Sequence, residues 1–156
     1  MDLISILTRN NIRIIKLLNK EKLHIREIAD KLNISPSSVH KLIKFLKKQN
    51  ALKEIKEKNR LVIELNQENE FLIQIKKIIN FNDLINSKAY NKLKSLGKIG
   101  VYGSFAKGTN DLGSDIDIWF LTNKKELELR PLLRQLELEL GNKVNVLFLS
   151  DKKIKQ

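Results

Sequence analysis

Cysteine is absent from the 156-residue chain, which excludes a disulfide framework and any thiolate metal site and suits a reducing compartment. Long apolar runs are also missing. The longest extend over four or five residues, far short of the ~20 that span a bilayer, and Met1-Asp2 opens without a basic, apolar leader. A cytoplasmic location and no membrane partner are therefore expected. Neither an internal repeat nor a Gly/Ser- or Pro-rich linker interrupts the chain, so a domain boundary has to come from a change in periodicity. The low hydrophobicity of a disordered chain is absent as well: at 42% hydrophobic residues there is enough apolar material for a packed core. The length suits one ordinary domain or two very small ones.

Charge is present mainly with one sign and mainly in one half. The net charge is +12; residues 1–60 hold 15 Lys and Arg against 6 Asp and Glu, and the remainder 15 against 12. Counterion release from phosphates makes a polyanion the natural partner of such a surface. A lysine-rich solubility surface is the competing explanation.

In the front half, Ile12, Ile15 and Leu18 are spaced to line one side of a first helix, and Ile25, Ile28, Ala29 and Leu32 one side of a second. Asn33-Ile34 interrupts the pattern. Ser35-Pro36 then signals a new helix start, serine accepting from an orphan N–H and proline suiting the first helical position. Val39, Leu42, Ile43 and Leu46 fall at i, i+3, i+4 and i+7, which predicts a third helix over Pro36 to Lys48. Leu52, Ile55, Leu61, Ile63 and Leu65 alternate around the polar run 56–60, as a β-hairpin requires. Phe71, Leu72, Ile75, Ile78 and Ile79 mark a further helix, and Ile85, Ala89, Leu93 and Leu96 another. The predicted organisation is residues 1–65, connecting helices over 66–97, and a second domain over 98–156.

A short turn between two helices, the second basic, is the arrangement that sets a recognition helix into the major groove. Residues 9–65 resemble the winged helix-turn-helix domains of prokaryotic and archaeal transcription factors. The resemblance implies duplex DNA as a partner. Ser37, Ser38, His40 and Lys41 would approach base edges, and Lys44 with the wing residues Lys58 and Arg60 would meet phosphates. Winged helices also dock proteins and hold RNA.

From Lys98 onward the pattern is strand, turn, short helix, strand, helix, strand. Ile99 to Tyr102, Ile116 to Leu121 and Val144 to Leu149 are the predicted strands; Leu133, Leu136 and Leu140 mark a helix that Pro131 would open and Gly141 close. Between the first two strands lie Gly103-Ser104-Phe105-Ala106-Lys107-Gly108 and then Ser114-Asp115-Ile116-Asp117. Glycine lets the backbone turn sharply and approach a phosphate, and the amides after it face an anion from a helix start. Asp115 and Asp117, two apart in a strand, present both carboxylates on one face. Two such groups repel and persist most comfortably around a divalent cation, and an oxygen-only set suits Mg²⁺, or Mn²⁺ in its place.

At these residues the chain resembles the minimal nucleotidyltransferases of the polymerase-β superfamily, over residues 98–150. The resemblance implies an α+β protein whose C-terminal core is a small mixed sheet with flanking helices. It also implies transfer of a nucleoside monophosphate from a nucleoside triphosphate to a hydroxyl, pyrophosphate leaving. Gly103 and Ser104, with Lys107 and Ser114, are then the candidate nucleotide-binding residues, and Asp115 and Asp117 the catalytic metal ligands.

The family's third carboxylate, on the following strand, is matched here by Asn145. An amide can give a metal an oxygen but cannot act as a carboxylate base. Asp151 is a fallback by sequence alone. Two readings stay open: a DNA-binding nucleotidyltransferase, or a non-catalytic, nucleotide-sensing or antitoxin-like transcriptional regulator. Candidate protein partners are an acceptor protein, a toxin-like protein or a second copy of the chain; an RNA-directed transferase is a third reading.

Overall fold

The computed structural model describes residues 5–57, 60–111 and 113–149, which fall into two compact units, Met1–Ile73 and Gln74–Gln156. The fold is α+β. No helix among the described residues is long and apolar enough to cross a membrane.

The first unit opens with a 3-10 turn, Ser5–Leu7, followed by α1 (Arg9–Leu18), α2 (Ile25–Leu32), α3 (Pro36–Lys48) and the antiparallel hairpin β1 (Leu52–Glu57) and β2 (Arg60–Leu65). The chain before each helix supplies a cap. Thr8 caps α1, while His24 accepts from the Arg26 N–H and its own N–H donates to Glu27 at 2.8 Å, closing a capping box on α2. Asn33 ends α2 in the left-handed region at φ 52°, which asparagine tolerates, and the Ile34 N–H returns to the Ala29 carbonyl at 3.0 Å. Ser35 accepts from the Ser38 N–H at 3.3 Å with Pro36 as the first helical residue, so the predicted bounds of α3 hold.

Val39, Leu42, Ile43 and Leu46 of α3 are buried against Ile14, Ile15 and Leu18 of α1 and Ile28 and Ala29 of α2 in the unit's core. One expected face is corrected: α1 buries Asn11, Ile14, Ile15 and Leu18, and Ile12 only half-buries. The apolar spacing of α1 fits two helical phases, and packing selects the one that takes Asn11 inward. In the hairpin, Val62, Ile63 and Leu65 are buried whereas Leu61 is exposed. Leu23 makes an isolated antiparallel bridge to Ile63 of β2.

The division between the units falls inside α4 (Glu70–Asn86), not at residue 65. Ile85 belongs to this helix and is exposed. α5 (Lys88–Leu96) is a separate helix capped by Ser87. Far from being a connector, α5 puts Ala89 and Leu93 fully into the second unit's core.

The second unit continues with β3 (Lys98–Tyr102), α6 (Gly103–Lys107), β4 (Ile116–Leu121), α7 (Glu126–Leu140) and β5 (Val144–Leu149). Its sheet has the order β3-β4-β5, antiparallel in the first pair and parallel in the second. Alternation sends Ile116, Ile118 and Phe120 into a core shared with Leu93, Phe105, Leu129 and Leu136. Cutting one such aliphatic side chain back to alanine costs about 2–5 kcal/mol. The Glu139 carboxylate of α7 accepts from the Ser87 hydroxyl at 2.6 Å and the Ala89 N–H at 3.2 Å, which ties α7 to the start of α5 and holds that carboxyl below its ordinary range.

Pro131 does not open α7. The helix starts five residues earlier, where the Lys125 N–H donates to the Glu128 carboxylate at 3.2 Å, and the exposed Pro131 costs the ladder one N–H. Gly141 closes it as expected, at φ 73° with its N–H on the Glu137 carbonyl at 2.8 Å.

Candidate functional site

In the second unit, the β3–β4–β5 register places Tyr102, Asp117 and Asn145 in one row across the sheet. The chain leaves β3 at Gly103, whose φ of +71° is costly for any side-chain-bearing residue. A Cβ there would stand 2.3 Å from Asp117 Oδ2. Glycine is thus required twice, for the turn and for the close approach of its backbone to the carboxylate. Ser104 follows in the first turn of α6, and Gly108 ends that helix at φ 75°. Lys107 is exposed at its far end.

Asp115 stands one residue before β4, with the Asp117 side chain on the same face. Asn145 Nδ2 donates to Asp115 Oδ2 at 3.1 Å and to Asp117 Oδ1 at 3.4 Å. Val144 and Val146, its neighbours, turn inward onto the core. One neutral amide therefore joins two carboxylates that would otherwise repel. Among the described residues no group of three His, Cys, Asp or Glu side chains is placed to hold a metal. The donor set that is present, two carboxylates and an amide able to offer its oxygen instead, suits a hard cation such as Mg²⁺ whose other ligands come from phosphate oxygens.

The loop from Gly108 to Asp115 is held by residues to which the sequence patterns gave no role. Asn80 of α4 donates to the Phe105 carbonyl and to Asn110 Oδ1, both at 2.8 Å, and the Lys76 ammonium donates to the Asn110 carbonyl. All three side chains are buried. Burial lowers the Lys76 pKa to about 8, opposed in part by the charge of Asp111. Ser114 spends its hydroxyl inside the loop, donating to Asp111 Oδ1 at 2.6 Å and accepting from the Asp111 N–H at 2.9 Å, while Asn142 holds the Ser114 carbonyl at 3.0 Å. The structure thus gathers Gly103, Asp115, Asp117 and Asn145 at one point, with Ser104 adjoining, Ser114 shaping the approach and Lys107 at the other end of α6. The missed signal was polar residues on a buried helical stripe: Lys76 and Asn80 alternate with Leu72, Ile75 and Ile79.

In the first unit, Ser37, His40, Lys41 and Lys44 are exposed along the side of α3 opposite its buried stripe. The hydroxyls of Ser37 and Ser38 lie 3.1 and 2.8 Å from that of the cap residue Ser35, so both also finish the helix start. Arg60 is exposed on β2 and 3.9 Å from Glu27, a surface pair of little energetic weight that a phosphate could replace. Lys58 and Asp151 lie outside the described residues.

Residues 85–156 match the family model described as polymerase beta, nucleotidyltransferase, and residues 7–60 match the one described as winged helix-turn-helix DNA-binding. No curated protein and no solved structure matches the chain.

Proposed function

We propose that this chain, a winged helix-turn-helix DNA-binding domain joined to a polymerase-β nucleotidyltransferase domain, transfers a nucleoside monophosphate from a nucleoside triphosphate to a hydroxyl acceptor. The observation that carries this reading is the packing of Gly103 on Asp117, with Asp115 and Asp117 on one sheet face beside the turn. The turn offers the backbone amides around Gly103 and Ser104 to the β- and γ-phosphates. Asp115 and Asp117 would hold Mg²⁺, or Mn²⁺, and Asn145 would turn its amide oxygen toward it. Such a cation supplies charge neutralisation at the phosphates and orients them. In the reaction the acceptor oxygen bonds to the α-phosphorus, the bond from that phosphorus to the bridging oxygen breaks, and pyrophosphate leaves. Asn145 cannot take the acceptor's proton, so that proton goes to solvent or to the substrate's own phosphates. Recruitment to duplex DNA through α3 and the wing places the reaction, or the control of a gene, at a chosen site.

A second reading has its own support. The Asn145 amide donates to both aspartates, and no third carboxylate joins them among the described residues. This favours a DNA-bound regulator that senses a nucleotide, or answers to a protein partner, without turning it over. Incubation with each labelled triphosphate and Mg²⁺ separates the two: pyrophosphate release with a labelled product supports transfer, and tight binding without release supports sensing.

A further inference from the structure

In the first unit, the exposed side of α1 carries a row of cations to which neither sequence nor family gives a role. Arg9, Arg13, Lys16 and Lys20 stand at i, i+4, i+7 and i+11, and at about 100° per residue they fall within about 60° of one another around the helix. All four are exposed, opposite the buried stripe of Asn11, Ile14, Ile15 and Leu18. Lys20 follows the C-cap Asn19, which is still right-handed helical at φ −71° and ψ −17°, so the row runs on without a break. No Asp or Glu stands between Leu3 and Lys20. Like charges three and four apart destabilise a helix, and a cation in the first turn opposes the helix dipole. The row is therefore held at a cost to the fold. Elsewhere in this unit Lys31 meets Glu21, Lys22 meets Glu64 and Lys47 meets Glu54. A surface that served solubility alone would mix signs in that way along α1 too. Arg13 also donates to the Leu32 carbonyl at the end of α2, at 2.9 Å, which uses one of the five N–H donors of a guanidinium.

The row is about 16 Å long, the axial length of about five phosphates on one strand of a duplex. α1 has no aromatic side chain on which bases of a single strand could stack. Its regular cations suit instead the fixed phosphate spacing of a duplex. The helix that reads DNA, α3, buries its own stripe in the core that α1 also lines, so the solvent sides of the two helices look outward on different sides of the unit. One straight duplex cannot lie along both. We infer that α1 is a second nucleic-acid surface whose occupant is the phosphate backbone of a second duplex, so that one chain bridges two DNA segments. Contacts to phosphates alone make this second hold blind to sequence. The inference rests on DNA binding through α3 and the wing and goes beyond it.

The full chain is mixed with a biotin-tagged duplex on beads and a fluorescent duplex of the same sequence, with one chain for every two duplexes, and the fluorescence held on the beads is measured. Retention that falls steeply with salt is expected. Arg9→Gln, Lys16→Gln and Lys20→Gln together should abolish it, while the melting temperature holds or rises and binding of a first duplex, read by anisotropy, is kept. Lys20→Gln alone should flatten the slope of log retention against log salt by about one unit. Equal retention by the triple variant and the wild type overturns the inference and puts the bridge in a second copy of the chain, each copy holding one duplex. Capture of a single-stranded RNA but not of the second duplex, lost in the same variant, overturns the assigned occupant. A wild type that binds one duplex tightly and retains no second sinks this inference alone. A wild type that binds no duplex sinks the DNA-binding reading with it.

Discussion

Asn145 donates its amide to Asp115 at 3.1 Å from the adjacent strand, in the place where a carboxylate would make a third anionic ligand. The contact gives Asn145→Asp two opposite consequences. Without divalent cation the change removes a donor and adds a charge beside two others, and should destabilise the domain by about 1 kcal/mol. With Mg²⁺ and triphosphate it supplies a ligand and a base, and should raise pyrophosphate release by ~10² to 10⁴-fold. Steady-state release and thermal melts with and without Mg²⁺ check both. Equal rates in the wild type, Asn145→Asp and Asn145→Ala would mean that another group supplies the third function.

Lys76 makes stability depend on pH in the alkaline range. Its pKa is about 8 in the folded chain and near 10.5 when unfolded, so between those values the unfolded state binds more protons and stability rises with pH. Below pH 8 both states are protonated and this contribution is flat. Lys76→Met should remove that part of the slope between pH 8 and 10, read as the difference between wild-type and variant urea-unfolding curves. Identical slopes in the two proteins would refute the burial of a titrating ammonium.

Much of this arrangement was legible in the residues. Strand alternation placed Asp115 and Asp117 on one face, and the resemblance to the polymerase-β nucleotidyltransferases matched Asn145 to the third carboxylate of that site, where its amide meets both aspartates. The bounds of α3 followed from Ser35-Pro36 and an unbroken apolar stripe. Phase was less legible: in α1, apolar spacing could not choose between Ile12 and Asn11 as the buried position, and Pro131 read as a helix start because an internal proline is unfavourable though tolerated. The Lys76–Asn80–Asn110 network was hidden, since it joins residues about 30 apart whose partners only packing reveals. Ile85 was assigned to the wrong helix because Ser87 as a cap is a weak signal beside a continuing apolar pattern.

Duplex DNA should bind through the exposed side of α3 and the wing. If Lys44 and Arg60 each meet a phosphate, replacing both by alanine should flatten the dependence of log affinity on log salt by roughly one to two units. The substitutions leave the buried stripe of α3 intact, so the melting temperature should hold. An unchanged salt slope would move the interface elsewhere on the chain.

Under the transferase reading, the Gly103 turn and the Asp115–Asp117 pair form one site for a magnesium-bound triphosphate. Calorimetric titration of the full chain with each triphosphate in Mg²⁺, paired with thermal melts, tests it most directly. A ligand present at 100 times its Kd stabilises the folded state by about 2.7 kcal/mol. A stabilisation of that order is expected in the wild type and none in the Asp115→Asn, Asp117→Asn double variant, which should still fold because asparagine is close in shape to aspartate and relieves the charge repulsion. Equal triphosphate affinity in the wild type and the double variant would contradict it.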